Sequence, residues 1–168
     1  MRSLFSIALI SLLFLTGCGY RLGGSKPSTL SHVSHIQVMP AENMTQYPRL
    51  SAQLANHLTD ALIQDGLYKV GTENNADAYL QTTISSVGIN QIRGSRTTPL
   101  FPEELLLRIQ VQWQVVDMET GQSLQTGKEI ARTRFFMSDN FQNAQNNAFP
   151  DALSRASRQI VSSLSNTL

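Results

Sequence analysis

Basic side chains recur through the second half of the chain at positions where they could bind anionic groups. They are, in order, Arg93, Arg96, Arg108, Lys128, Arg132 and Arg134. The planar guanidinium group of arginine can donate two hydrogen bonds at once to the oxygens of a phosphate or carboxylate. Such charge-assisted hydrogen bonds are about twice as strong as neutral ones. If segments 105–115 and 124–137 pair as a hairpin through residues 117–121, the last four gather on one face of a sheet. The alternative is an ordinary solvated face, on which each charge serves solubility alone.

A second candidate for chemistry is Cys18, the only cysteine in the chain. It follows an apolar run, residues 4–15, that begins shortly after the basic Arg2. A basic start, a short apolar run and small residues at a cut site are typical of a secretory signal. Leu15, three residues before the cysteine, completes the pattern of a bacterial lipoprotein signal, which predicts cleavage before Cys18 and acylation of its thiol and new amine. The alternative is a transmembrane helix, but that needs roughly 20 apolar residues.

Residues that could form a catalytic or metal site are sparse. His32 and His35 flank the start of a predicted strand, but no third ligand lies near them in the sequence, and His57 falls on the polar side of a predicted helix. The adjacent Glu103 and Glu104 point to opposite faces of a strand and cannot share a proton. The chain has neither a Gly-x-Ser-x-Gly elbow nor a glycine-rich phosphate loop. We therefore expect no enzyme, no cofactor and no metal.

The composition and charge indicate one exported domain. A formal net charge of +1 gives no reason to expect a nucleic-acid partner. With its only cysteine lipidated, the mature chain has no disulfide. We predict a signal peptide at 1–17, a lipidated cysteine with a flexible tether at 18–30, and a single domain at 31–168. Gly19 stands where an aspartate would favour retention at the inner membrane, so we expect an anchor in the outer membrane.

The elements that would position these residues follow from hydrophobic periodicity and turn residues. Helix 48–64 carries an apolar stripe and ends at Gly66, which can act as a C-terminal cap. A change of parity near residues 85–86 predicts a bulge. The remaining predicted segments are a strand at 33–40, a short extended piece at 68–71, a strand at 78–90, a long loop at 90–103, strands at 105–115 and 124–137, a loop or weak helix at 139–148, and a helix starting at Pro150.

The order strand, helix, three strands, helix predicts an α+β fold, a two-layer sandwich with two helices on one face of a four-stranded mixed or antiparallel sheet. The parity of Trp113 places it in the core. One of Phe135 and Phe136 should be buried, and the other should border a surface patch. The face with the basic residues would stay exposed to solvent or contact a partner. Arg155 and Arg158 lie apart from this face, on the last helix.

Several short motifs resemble the lipopolysaccharide-assembly lipoproteins of the outer-membrane translocon, the LptE type. They are Cys18-Gly19-Tyr20-Arg21-Leu22 after the signal, Glu42-Asn43-Met44-Thr45 after the first strand, Ala76-Asp77-Ala78-Tyr79-Leu80 at the second strand, and the closing helix 152–164. Their order and spacing extend the resemblance over essentially the whole mature chain. The family fold is a two-layer sandwich of two helices on a four-stranded sheet.

The resemblance implies a non-enzymatic outer-membrane lipoprotein, anchored at the periplasmic face. Such proteins plug a large β-barrel partner, help it assemble and bind lipopolysaccharide during its delivery to the cell surface. The family offers no fixed ligand motif, so Arg93, Arg96, Lys128, Arg132 and Arg134 are candidates from the residues alone. Two alternatives remain: a lipoprotein scaffold of another envelope complex and, less favoured, an envelope hydrolase.

Overall fold

The computed structural model describes residues 25–94, 102–137 and 140–165, so Cys18 and Arg96 lie outside the described residues. Within these described residues, a 3-10 helix, six strands and two α-helices form two layers. Their bounds are Ser28–Leu30 for the 3-10 helix; His35–Val38 (β1), Glu42–Asn43 (β2), Lys69–Val70 (β3), Ala78–Gly94 (β4), Pro102–Asp117 (β5) and Ser123–Phe136 (β6); and Leu50–Asp65 (α1) and Phe141–Ser165 (α2). The predicted α+β class, with two helices packed on a mixed sheet, is confirmed.

The sheet has the strand order β3-β1-β4-β5-β6, and β2 pairs with β4 beyond the end of β1. β1 runs parallel to β3 and β4, whereas β4, β5 and β6 form an antiparallel meander. The prediction of four strands was wrong, because β2 and β3 complete a sheet of six. Each of these two strands has only two residues, too few for alternation to show in the sequence. β3 lies within the predicted extended piece 68–71.

The β4–β5 hairpin is longer than the sequence indicated. The loop predicted at 90–103 was wrong at both ends, since Gln91 pairs with Leu105 and Arg93 with Glu104. The bulge predicted near residues 85–86 is confirmed by a register shift between Ile84 and Ser86. At roughly 3.3 Å per residue, the 17-residue β4 is about 55 Å long. It therefore runs from one end of the domain, where β1 begins, to the other, where β5 begins.

α1 packs an apolar stripe of leucines against the sheet, because Leu50, Leu54 and Leu58 recur at helical spacing and are fully buried. The helix ends at Gly66, whose φ of 74° lies in the left-handed region and whose N–H donates to the Leu62 carbonyl at 3.1 Å. The predicted cap is thus confirmed, and the helix bounds differ from the predicted 48–64 by one or two residues.

α2 is one continuous helix with Pro150 in its interior, so the predicted start at Pro150 was wrong. Residues before the proline, including Gln145 and Ala148, are buried on the same face as Ala152. An interior proline costs about 3 kcal/mol because it removes a backbone donor and crowds the preceding turn. Packing of the whole stripe against the sheet and α1 offsets that cost.

The core lies between the sheet and the two helices. Trp113 is buried as predicted, and its indole lies directly over Gly127 of the neighbouring strand. A Cβ atom added to Gly127 would lie 2.5 Å from Cε2 of the indole. Phe135 is buried while Phe136 is 72% exposed, which confirms the predicted division between the two rings. None of the helices that the structure describes is long and apolar enough to cross a membrane.

Residues 25–34, the N-terminal stem, pack against one end of the sheet. Leu30 and Val33 are fully buried. Lys26 donates from Nζ to the Val33 carbonyl at 2.7 Å and stands 5.2 Å from the centroid of the Tyr68 ring. The ordered domain therefore begins before residue 31, and the predicted tether 18–30 overlaps it.

Candidate functional site

The hairpin at residues 117–121 aligns the two strands that carry most of the basic residues. The Asp117 carboxylate accepts hydrogen bonds from the backbone N–H groups of Glu119 and Thr120, at 3.0 and 2.8 Å. Gly121 completes the turn with a φ of 69°. This predicted hairpin is confirmed, and it fixes the register of β5 against β6.

Four arginines gather on the half of the open sheet face that is remote from the stem; we call them the basic cluster. Its members are Arg93, Arg108, Arg132 and Arg134. Arg108 of β5 is the register partner of Arg132 of β6, and residues paired in register share a face. All four are exposed. Like charges in direct register destabilise a sheet, so the fold retains an electropositive surface at some cost.

Glu104 lies within the basic cluster. It stands between Arg93 of β4 and Phe136 of β6 in register, and its Oε1 is 3.5 Å from Nη1 of Arg134. Glu104 is 7% exposed, whereas the Arg134 side chain is 69% exposed. One largely buried carboxylate against four arginines leaves the cluster net positive. Sequence reasoning missed Glu104, although its parity with Arg108 was a usable signal.

Exposed apolar side chains surround this end of the sheet; we call them the apolar rim. They are Ile92, Phe136, Met137 and Phe141, with exposed fractions from 37 to 72%. Ile92 lies at the register shift between Gln91 and Arg93. The Phe141 ring packs 6.4 Å from that of Phe135, centroid to centroid, which links the rim to the core. Cations beside exposed apolar groups suit an amphiphilic anion.

Lys128 lies apart from the basic cluster, nearer the hairpin. It is the register partner of Gln112 and lines a shallow cavity of about 580 Å³ on the open face. The cavity is lined mainly by amides and hydroxyls, and Gln114 donates from Nε2 to Oε1 of Gln81 at 2.8 Å. Lys128 is four residues from Arg132, or about 13 Å along the strand. The structure thus places Arg93, Arg132 and Arg134 in the half of the open face that is remote from the stem, and Lys128 in the half nearer the hairpin.

Arg132 also borders the outer edge of β6. There it shares a cavity of about 540 Å³ with Arg155 and Arg158 of α2. The sequence placed these two helical arginines apart from the sheet set, but the structure brings them together with Arg132 around the strand edge. Variants of Arg155 or Arg158 are therefore unsuitable as controls for variants of the basic cluster.

His32 and His35 lie at the stem end of the domain. Nε2 of His32 is 3.0 Å from Oδ2 of Asp117, and Nδ1 of His35 is 3.7 Å from Oδ2 of Asp77. Hydrogen bonds, first from the Thr120 amide and then from His32, lower the pKa of Asp117 to about 2. The His35 and Ser34 amides likewise lower the pKa of Asp77. Across residues 25–94, 102–137 and 140–165, no three potential ligands form a metal site.

Comparisons with known proteins agree with this architecture. A family model described as lipopolysaccharide-assembly, LptE, matches residues 33–168. No curated protein matches the chain. A putative lipoprotein from Caulobacter crescentus CB15 is 23% identical, with 77% of this chain and 87% of that one covered and a TM-score of 0.53. The PelC dodecamer from Paraburkholderia phytofirmans is 14% identical, with 86% and 95% covered and a TM-score of 0.55. At these identities, both likenesses concern the fold alone.

Proposed function

Because the chain belongs to the LptE family of lipopolysaccharide-assembly proteins, we propose that it is an outer-membrane lipoprotein that binds lipopolysaccharide with its basic cluster. In this proposal it plugs a large β-barrel translocon, helps that barrel assemble and presents the basic cluster to lipopolysaccharide on its way to the cell surface. The family is not enzymatic, and the proposal requires no catalytic step.

The observation that carries the proposal is the position of the basic cluster beside the apolar rim. Lipopolysaccharide combines phosphates with acyl chains. The forks of Arg93 and Arg108 suit phosphate oxygens, and the exposed Phe136 ring offers a surface to acyl chains. A single exposed ion pair contributes only about 0–1 kcal/mol, so several arginines acting together are needed to hold a multivalent anion. Arg96 stays a predicted member of this site and lies outside the described residues.

Attachment to the membrane is proposed to rest on acyl chains at Cys18. Each buried methylene contributes about 0.8 kcal/mol, so two or more chains hold a protein on a bilayer where one does not. The stem lies at the start of β4, and the basic cluster begins level with Gly88, about 33 Å away along the strand, and extends to Arg93, about 50 Å away. This separation would place the arginines well away from the anchoring leaflet, inside the barrel.

The test of ligand binding uses the full chain in detergent and a fluorescent lipopolysaccharide. Arg93→Glu with Arg108→Glu should weaken binding about tenfold, because two attractions to phosphate become repulsions. These substitutions leave the Arg134–Glu104 pair intact. The matched control, Arg49→Glu with Lys69→Glu, makes the same change of charge at two exposed sites outside the cluster. Wild-type affinity should also fall as salt rises, since exposed charges are screened over about 8 Å at physiological ionic strength.

Equal losses in the two double variants would show that binding is nonspecific, and would remove the basic cluster from the proposal. The barrel role has a separate test. Purification of the lipidated protein from outer membranes should recover a large β-barrel protein in stoichiometric amount. Recovery of a different envelope assembly instead would favour a scaffold role.

A further inference from the structure

β6 presents a long free edge. Within the described residues this 14-residue strand pairs only with β5, and it contains no proline. The other outer strand, β3, has two residues. A free edge exposes a row of unpaired N–H and C=O groups to which another strand can add. At about 45 Å, the β6 edge is long enough for a segment of ten residues or more.

α2 is fastened over the inner face of β6 and adds no strand pairing to its outer edge, and the 3-10 helix of the stem also contacts β6. Ser163 donates from Oγ to Oε1 of Glu129 at 2.9 Å, and Thr133 donates from Oγ1 to Oδ2 of Asp151 at 2.6 Å. Two cavities, of about 540 and 360 Å³, follow one another along the margin between strand and helix. We call this margin the edge groove. A strand added to β6 would place alternate side chains into it.

The edge groove is electropositive in its first half, which is the larger cavity of about 540 Å³. Arg132, Arg155 and Arg158 line that half, where Glu129 is the only acidic lining residue and is already bonded to Ser163. In the part of the chain that the structure describes, no hydrogen bond or ion pair engages Arg132. Arg158 donates from Nη1 to the Ser154 hydroxyl at 2.6 Å, and its charge is one of the weaker causes that lower the pKa of Asp151, which pairs directly with Arg155. Arg132 thus lacks an anionic partner, and Arg158 has none in direct contact.

The same charges disfavour a second copy of the chain as the occupant. In an antiparallel pairing of two β6 edges centred on Ile130, Lys128 of each copy would face Arg132 of the other, and like charges in direct register are destabilising. Cations on an edge strand prevent such self-association. A strand with carboxylates would meet attraction at the same positions.

We propose that the β6 edge is a docking site for an extended acidic segment of another protein, which adds as a further strand and directs carboxylates to Arg132, Arg155 and Arg158. Main-chain hydrogen bonds would supply the affinity, and the arginines would select for acidic side chains. This site shares Arg132 with the basic cluster, but strand addition to β6 does not depend on lipopolysaccharide binding, so the proposal holds whether or not that function is correct.

The test measures binding of the full chain in detergent to a fluorescent peptide of about ten alternating valine and glutamate residues. Arg158→Glu should weaken binding about tenfold while the Arg155–Asp151 pair stays intact. Arg49→Glu is the matched control, because it makes the same change at the start of α1 and should have no effect. A valine–lysine peptide should bind the wild type poorly and regain affinity for the Arg158→Glu variant.

Two further measurements separate strand addition from simple charge attraction. Hydrogen exchange should show new protection in β6 upon addition of the peptide and none in β3. The same peptide with every internal amide nitrogen methylated keeps its charge but cannot form a strand, and it should not bind. Equal binding of the methylated peptide, or equal loss in the Arg49→Glu control, would overturn the proposal. So would a failure of the acidic peptide to bind at all.

Discussion

Replacing Gly127 with alanine should destabilise the domain, although alanine is normally the better residue in a strand by about 0.5–1 kcal/mol. The new methyl group would lie 2.5 Å from Cε2 and 2.8 Å from Nε1 of Trp113. Overpacking of a core usually costs about 1–3 kcal/mol. Because Trp113 is 4% exposed and belongs to the hydrophobic core, its indole cannot withdraw easily. We therefore expect a net loss of about 1–2 kcal/mol in the free energy of unfolding.

Urea unfolding followed by circular dichroism measures this change. Gly88→Ala is the matched control: Gly88 also lies within a strand, but no heavy atom lies within 4 Å of the position of its added Cβ. That variant should be as stable as the wild type or more stable by about 0.5 kcal/mol.

A double-mutant cycle then identifies the cause. Trp113→Leu shortens the side chain above Gly127, so Gly127→Ala in that background should be neutral or stabilising. If Gly127→Ala costs the same in both backgrounds, or stabilises as Gly88→Ala does, the packing of Trp113 over Gly127 is not the constraint described above.

Three other variants test separate parts of the molecule. Because the folded state lowers the pKa of Asp117 from 3.8 to about 2, its stabilisation is complete above about pH 4 and lost as the pH falls toward 2; Asp117→Asn should flatten this part of the stability profile, and an unchanged profile would contradict the assignment. Thr133→Val removes the hydrogen bond to Asp151 and should cost about 1–2 kcal/mol in urea unfolding, whereas Thr133→Ser should retain most of it. Cys18→Ser should abolish labelling by a radioactive fatty acid, and equal labelling of both proteins would exclude acylation at this residue.

The parts of the fold that followed from the sequence are those with uninterrupted periodicity. In β5, apolar residues such as Ile109 and Val111 alternate with polar residues such as Gln110, and burial alternates in the same way. In α1, the leucine stripe and Gly66 define the helix almost completely. These patterns are local, so a single stretch of sequence contains all the information they need.

The predictions that were wrong depend on contacts between residues that are far apart in the sequence. Gln145 of α2 is 5% exposed and donates from Nε2 to the Tyr47 hydroxyl at 2.7 Å, so a glutamine takes a core position in a segment whose composition indicated a loop or a weak helix. Likewise, the end of β4 is polar but continues because β5 pairs with it. A pattern of hydrophobic residues cannot show either contact.

In the candidate site, too, some features followed from local sequence patterns and others depend on tertiary packing. Strand parity predicted that Arg132 and Arg134 share a face with Arg108. The association of Arg132 with Arg155 and Arg158 depends on where α2 lies relative to the edge of β6, which no local pattern encodes. The exposure of Ile92 likewise depends on a register shift in the pairing of β4 with β5, which no local pattern encodes.

The way the stem enters the sheet also determines how the domain responds to mechanical force. The stem leads directly into β1, which lies between β3 and β4, and the Asp77 carboxylate accepts hydrogen bonds from the Ser34 and His35 amides at 2.8 Å just before the strand begins. A pull from an anchor at Cys18 along the strand axis would load the parallel ladders on both sides of β1 in shear, so that their hydrogen bonds share the force instead of breaking one at a time. The contacts of Lys26 and Leu30 would break first. The connection to the membrane would therefore lengthen before the sheet itself is disturbed.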